Sequence, residues 1–190
     1  MLEEKPFTED DIKKEEQGRP FFPDRETDFN ISHSGNLAAV SLVKDGGMRT
    51  GCDVELVRPR KRIKEIAEKF FTASEREFIF DAEFFDEAKF FMIWTLKECY
   101  LKLKGMSVFD MKEAPSFIER GQFIFGADCS LSFYLYELSG FGERYMLASA
   151  ANETKGEPEL RWFSQVSFDC KSIAKINAAP SPAQIVSPKT

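Results

Sequence analysis

Two acidic residues stand two positions apart in the stretch GCDVE, residues 51 to 55. If this stretch is a β-strand, its side chains alternate, so Asp53 and Glu55 share one face. A carboxylate pair on a strand flanked by apolar residues costs free energy unless it is neutralised, and a hard divalent cation is a common partner. Asp53 and Glu55 are therefore candidate metal ligands, although an exposed edge strand with solvated acids would give the same pattern.

A third carboxylate and a cation share one face of a predicted helix in WTLKECYLK, residues 94 to 102. Trp94, Glu98 and Lys102 follow i, i+4, i+8 spacing, while Lys97 lies on an adjacent face. This face could add a carboxylate to a metal site and an ammonium that binds negative charge. The alternative is an ordinary Glu-to-Lys pair, which contributes about 0.2–0.5 kcal/mol, with Trp94 in the core.

The single histidine, His33, lies in FNISHSG, residues 29 to 35. Ser32, Ser34 and Gly35 offer hydroxyl groups and a close backbone approach, which suit a phosphate oxygen, and a phosphate would favour the imidazolium form. A hydrogen-bonded structural histidine is the alternative. No orienting acid, serine elbow or reactive-cysteine signature accompanies it, so nucleophilic catalysis is not expected.

Five cations occur in the seven residues from Arg58 to Lys64. In a chain with a net charge of −6, this segment could bind phosphates or an acidic partner helix, and a solvated helix entry is the alternative. The negative total disfavours a general nucleic-acid binder, which has to neutralise phosphates.

The composition indicates a globular protein: 190 residues, 43% of them hydrophobic, suffice for one domain or two small lobes. No apolar run approaches the roughly 18 residues of a membrane span, and the charged N-terminus lacks the apolar core of a secretory signal. A cytoplasmic protein without membrane contact is expected. The four cysteines form no CxxC pair and are expected to be reduced thiols.

The secondary structure that would position these candidate residues is predicted to begin with β-strands. Residues 1 to 18 are polar and are expected to be frayed or weakly helical, so ordered structure should begin near Phe29. Leu37 to Val43 and Thr50 to Val57 read as two strands of a hairpin, because the turn signal Asp45-Gly46-Gly47 separates them.

Helices are predicted next. An apolar stripe from Ile63 to Phe71 predicts the first, and the capping-box sequence of Thr72 to Glu75 should begin the second. A third runs from Asp86 to Lys104, with Gly105 as a left-handed cap. A hairpin at 116 to 125 and strands at 131 to 138, 144 to 151 and 160 to 168 should follow, whereas residues 177 to 190 are too rich in Pro and Ser for order.

Taken in order, FNISHSG, GCDVE, FFTASE, WTLKECYLK and the following KG resemble the 4′-phosphopantetheinyl transferase family, in its larger, surfactin-synthetase-activating type. The resemblance covers about residues 18 to 151. Members transfer the phosphopantetheine arm of coenzyme A to a serine of an acyl or peptidyl carrier protein, need Mg²⁺ and release adenosine 3′,5′-bisphosphate. The resemblance implies an α+β fold with helices packed on antiparallel sheets in two pseudo-symmetric lobes.

The resemblance also implies roles for the acidic residues. Asp53 and Glu98 would bind Mg²⁺, with Glu55 as a further ligand or as a neighbour that positions water. Glu98 or a metal-bound water would take the proton from the carrier serine. Lys102 would steady the charge on the phosphates, because positioning and electrostatics lower a phosphoryl-transfer barrier.

Arg19, in the stretch GRPFFPD, would contact the 3′-phosphate and neighbouring parts of coenzyme A together with Ser32 and His33. Two rival hypotheses are a module that binds coenzyme A without turnover, and a scaffold that docks acidic carrier helices through Arg58 to Lys64.

One departure from the family concerns length, because only 32 residues precede His33. The resemblance thus implies a shortened N-terminal lobe with the coenzyme A segment at 1–50, a C-terminal lobe with the metal motifs at 51–152, and a partly disordered extension at 153–190. Either a second subunit completes the first lobe, as in a homo-oligomer, or the chain is a minimal or truncated form.

Overall fold

The computed structural model describes residues 8–23, 26–44, 47–81, 84–124, 131–140, 142–152, 158–159, 161 and 169–177. Within these residues the α-helices are α1 (Ile63–Phe70), α2 (Ala73–Ile79) and α3 (Glu87–Lys104), and the 3-10 helices are Glu9–Asp11 and Val108–Glu113. The strands of the first half are β1 (Lys13–Lys14), β2 (Pro20–Phe21), β3 (Thr27–Ser34), β4 (Leu37–Lys44) and β5 (Thr50–Leu56). Those that follow are β6 (Phe80–Asp81), β7 (Phe84–Phe85), β8 (Ile118–Glu119), β9 (Gln122–Phe123), β10 (Leu131–Gly140), β11 (Glu143–Asn152) and β12 (Asp169–Asn177).

The core lies between α3 and a four-stranded antiparallel sheet of order β12-β10-β11-β5. Half of α3 is buried, and its apolar side chains Phe90, Ile93 and Leu96 pack into one cluster with Phe133 of β10 and Met146 of β11. Burial of this apolar surface is the main favourable term that holds the helix on the sheet. The mixed architecture agrees with the predicted α+β class.

The three helix predictions are confirmed because each rests on a local signal. Thr72 caps α2: its hydroxyl accepts a hydrogen bond from the Glu75 amide at 3.3 Å, and the Glu75 carboxylate accepts from the Thr72 amide at 2.9 Å. Gly105 ends α3 with φ of 70°, the left-handed conformation that glycine adopts without steric cost.

The predicted hairpin of β4 with β5 is wrong. β4 pairs with β3 around a tight turn at Gly35, which has φ of 56°, and β5 pairs with β11, from Leu56 opposite Tyr145 to Thr50 opposite Ala151. A turn signal between two strands does not specify their partners. β5 is nearly all buried, and a place in the larger sheet buries more of it than a two-stranded hairpin could. Asp45 and Gly46 of that turn signal lie outside the described residues.

Two boundaries also differ from the sequence prediction. Ordered structure begins before Phe29, because β1 and β2 pair with each other. The last strand is β12, at Asp169–Asn177, whereas the predicted strand at 160–168 falls almost entirely outside the described residues. The predicted hairpin at 116–125 is confirmed as β8 and β9, and the two strands after it are confirmed as β10 and β11. No helix among the described residues is long and apolar enough to cross a membrane.

Candidate active site between β5 and α3

Side chains of β3 bind the edge of β5 that lies away from β11. Every second residue of β3 accepts a hydrogen bond from a backbone amide of β5, at 2.8 to 3.3 Å. The acceptors are Asp28, Asn30, Ser32 and Ser34, and the amides are those of Thr50, Cys52, Val54 and Leu56. We call this arrangement the side-chain seam. It satisfies amides that would otherwise be left without partners, and it brings Ser32 and Ser34 beside the two acids of β5.

Asp53 is the centre of the site. Its residue is 2% exposed, and its Oδ1 accepts hydrogen bonds from Lys102 Nζ at 2.6 Å and from Ser32 Oγ at 2.8 Å. Lys102 Nζ also donates to Ser32 Oγ at 2.8 Å, so the three groups form a closed triangle. Asp53 Oδ2 is buried, and no described residue donates a hydrogen bond to it. Two of the candidate site residues, Asp53 of β5 and Lys102 of α3, are therefore in direct contact.

Glu55 lies on the same face of β5 and is held on both oxygens. Trp94 Nε1 donates to Oε1 at 3.1 Å, and Oε2 accepts from Ser34 Oγ at 3.0 Å and from Arg60 at 2.7 Å. Arg60 thereby fixes the basic segment next to the site. This salt bridge is partly shielded from water, because the Glu55 side chain is only 13% exposed.

Burial and mutual repulsion raise the pKa values of Asp53 and Glu98. Burial raises the pKa of Glu98 to about 7, and the negative charge of Asp53 adds to the rise while Lys102 opposes it. Burial likewise raises the pKa of Asp53 to about 6, against the lowering effect of Lys102. For Lys102, burial acts to lower the pKa, but Asp53 and Glu98 outweigh it and the pKa is raised. Near neutral pH, Glu98 is thus able to hold or release a proton.

Gly51 sets the spacing between β5 and α3. A Cβ built on Gly51 would lie 2.6 Å from the Cys99 carbonyl oxygen and 2.8 Å from Leu103 Cβ, which is closer than real Cβ contacts. The missing side chain lets the last turns of α3 approach the strand, and Lys102 lies in those turns. Sequence reasoning missed this residue, although a glycine within a strand pattern is a signal of close backbone approach.

The three residues predicted to contact coenzyme A differ in exposure: Ser32 and Arg19 are buried, and His33 is exposed. Ser32 is buried beside Asp53, whereas His33 is exposed, because neighbouring residues of a strand point to opposite faces. Arg19 is also buried, and its guanidinium donates to the Asp28 carboxylate, to the Thr50 carbonyl at 2.9 Å and to the Lys102 carbonyl at 3.1 Å. Contacts of these residues with coenzyme A stay a prediction.

Lys97, which the sequence placed beside the Glu98 face, has a structural task. Its ammonium group lies 3.2 Å from the Glu75 carboxylate, and both side chains are almost completely buried. Lys97 also donates to the carbonyls of Ala114 and Pro115, at 3.3 and 3.0 Å. The pair therefore ties the start of α2 to α3 and to the segment before β8. Glu75 and Lys97 are too far apart in the sequence for a short motif to reveal that they form a pair.

The donor types suit a cation such as Mg²⁺. Among the residues that the structure describes, no three acidic, histidine or cysteine side chains are arranged as a metal cage. However, Mg²⁺ often binds through one or two carboxylates and takes its other ligands from water and substrate phosphates. The buried, unpartnered Oδ2 of Asp53 fits such a partial site. Asp53 and Glu98 would hold the ion, and the predicted ligation by Glu55 would compete with its present partners.

The part of the chain that holds the site is similar to known proteins. The family model described as the 4′-phosphopantetheinyl transferase superfamily matches residues 49–124, a range that contains Asp53, Glu98 and Lys102. The 4′-phosphopantetheinyl transferase AcpT of Escherichia coli strain K12 is 36% identical over 104 residues, which are 53% of this chain and 52% of AcpT. HetI of Nostoc sp., also a 4′-phosphopantetheinyl transferase, is 36% identical over 108 residues, 52% of this chain and 43% of HetI.

A longer match comes from a Haemophilus influenzae protein that is provisionally assigned as a 4′-phosphopantetheinyl transferase. It is 30% identical over 166 residues, which cover 86% of this chain and 68% of the relative. By contrast, the chain spans about half the length of AcpT and HetI. The agreement over most of both chains, together with the family model, shows that this chain belongs to the 4′-phosphopantetheinyl transferase superfamily.

Proposed function

We propose that the protein transfers the 4′-phosphopantetheine group of coenzyme A to a serine of an acyl or peptidyl carrier protein in a Mg²⁺-dependent reaction. The observation that carries the proposal is the triangle of Asp53, Ser32 and Lys102, which leaves one buried oxygen of the Asp53 carboxylate without a partner among the described residues. A buried carboxylate oxygen costs free energy unless a donor or a cation reaches it, so the arrangement is best explained by a bound cation.

The chemistry divides among three side chains. The carrier serine oxygen forms a bond to the phosphorus next to pantetheine, and the bond from that phosphorus to the bridging oxygen breaks, so adenosine 3′,5′-bisphosphate leaves. Glu98, whose pKa burial raises above its ordinary value, would accept the serine proton. Lys102 would stabilise charge on the phosphate oxygens, and Asp53 would hold the cation. Bound Mg²⁺ would neutralise the pyrophosphate.

The basic segment from Arg58 to Lys64 would receive the carrier. Arg58, Lys61 and Lys64 are exposed, and Arg60 joins the segment to Glu55 at the site. A positive surface on a negatively charged chain would steer an acidic partner helix towards the reacting groups. The same surface suits the non-catalytic scaffold hypothesis, so binding and transfer have to be measured separately.

Mass spectrometry of an apo carrier protein incubated with the protein, coenzyme A and Mg²⁺ is the direct test. The expected result is a gain of one phosphopantetheine group per carrier. Asp53→Asn should abolish the gain, while the exposed control Asp10→Asn should retain it. No gain with several carriers and folded protein would contradict the transferase, and carrier binding that survives Asp53→Asn would by itself fit either a transferase or a scaffold.

A further inference from the structure

We propose that Ser32 is a positioning residue, which fixes Asp53 and Lys102 relative to each other, and that it makes no contact with coenzyme A through its side chain. This inference rests on the proposed function. It departs from the role that the family resemblance implies for Ser32, and it follows from the hydrogen-bond capacity of the hydroxyl group.

A serine hydroxyl donates one hydrogen bond and accepts two. Ser32 Oγ donates to Asp53 Oδ1 at 2.8 Å and accepts from Lys102 Nζ at 2.8 Å and from the Val54 amide at 3.2 Å. Its capacity is therefore complete, and the residue is only 5% exposed. A phosphate oxygen could bind the Ser32 hydroxyl only by displacing the bond to Asp53.

The arrangement has a consequence for Asp53. Oδ1 is occupied by Ser32 and Lys102, so the open oxygen of this carboxylate is Oδ2. Without the hydroxyl group, Lys102 would be the remaining hydrogen-bond donor to Oδ1 among the described residues, and the carboxylate could rotate about its last bond. Ligand carboxylates are held in this way by outer partners, and loss of such a partner costs about 10- to 100-fold in metal affinity or activity.

Ser34 provides a matched control on the same strand. Its hydroxyl accepts from the Leu56 amide and donates to Glu55, which repeats the pattern of Ser32 one pair further along the seam. Glu55, however, is also held by Trp94 and Arg60. Ser34→Ala therefore removes an equivalent seam contact while its acid keeps two other partners.

The experiment compares Ser32→Ala, Ser34→Ala and Ser32→Thr in steady-state transfer to a carrier protein. Ser32→Ala should lower kcat about 10- to 100-fold and leave the KM for coenzyme A within about twofold. Ser34→Ala should lower kcat less than about threefold, and Ser32→Thr, which keeps a hydroxyl, should restore most of the rate. Binding of Mn²⁺ to the free protein, measured by electron paramagnetic resonance, should weaken about 10-fold or more in Ser32→Ala only.

Several results would overturn the inference. A raised KM for coenzyme A with unchanged kcat would make Ser32 a substrate contact, and equal losses in Ser32→Ala and Ser34→Ala would reduce its role to the seam. If Ser32→Ala does not fold, the near-isosteric Ser32→Cys has to show the same kinetic split. If the wild-type protein transfers nothing, the proposed function fails, while unchanged Mn²⁺ affinity in a folded Ser32→Ala protein would reject the positioning role separately.

Discussion

Replacing Gly51 by alanine tests whether the distance between β5 and α3 governs the site. The new Cβ would lie 2.6 Å from the Cys99 carbonyl oxygen, about 0.8 Å short of ordinary contact at 3.4 Å. If α3 moves by that amount, the bond from Lys102 Nζ to Asp53 Oδ1 lengthens from 2.6 Å to about 3.4 Å and weakens. Overpacking of this kind costs about 1–3 kcal/mol, and a displacement near 1 Å can cost about 100-fold in rate.

The assay pairs urea denaturation with transfer kinetics. Gly51→Ala should lose about 1–3 kcal/mol of stability and about 10- to 100-fold in kcat. Gly121→Ala is the control: Gly121 has φ of 74° and no atom within 4 Å of a built Cβ, so it should lose about 1–2 kcal/mol through backbone strain alone. A Gly51→Ala protein with the wild-type rate, or a loss of rate no larger than that of Gly121→Ala, would refute the reasoning.

Four other substitutions test the charged and buried groups of the site and the core. Because the pKa of Glu98 is raised from 4.5 to about 7, the folded state binds more protons than the unfolded state in that range, so stability should fall as pH rises. Glu98→Gln should flatten this slope in metal-free urea titrations. Lys97→Met should cost about 3–5 kcal/mol in urea denaturation by leaving the Glu75 carboxylate unpaired, and adding Glu75→Gln should recover part of it. His33→Ala should raise the KM for coenzyme A and preserve kcat at saturating coenzyme A in steady-state assays.

Local sequence signals predicted the helices and their ends well. They did not predict which strands pair across long distances in the sequence. The capping box at Thr72 and the left-handed Gly105 depend on residues within one or two helical turns, so the sequence contains the whole cause. The partner of β5 depends on β11, which lies about ninety residues later and wins through burial in the larger sheet. No turn motif near residue 45 carries that information.

The site shows the same division. Period-two alternation placed Asp53 and Glu55 on one face of β5, and helical spacing placed Glu98 and Lys102 together on α3. That a missing side chain at Gly51 allows the two elements to meet is a property of packing. The separation of Ser32 from His33 was available from alternation, but the family resemblance grouped them because it compares positions along the chain and not faces of a strand.

The side-chain seam also bears on solubility. Among the described strands, β11 is the one strand that pairs with β5 through the backbone, so the other edge of β5 would be a template for a strand from another molecule if it were open. Instead, four β5 amides on this edge donate hydrogen bonds to side chains of β3. A strand from another molecule therefore finds these amides already bound. Mutations that weaken the attachment of β3 would therefore expose the backbone amides of this β5 edge. Such variants should aggregate under conditions in which the core between α3 and the sheet is still folded.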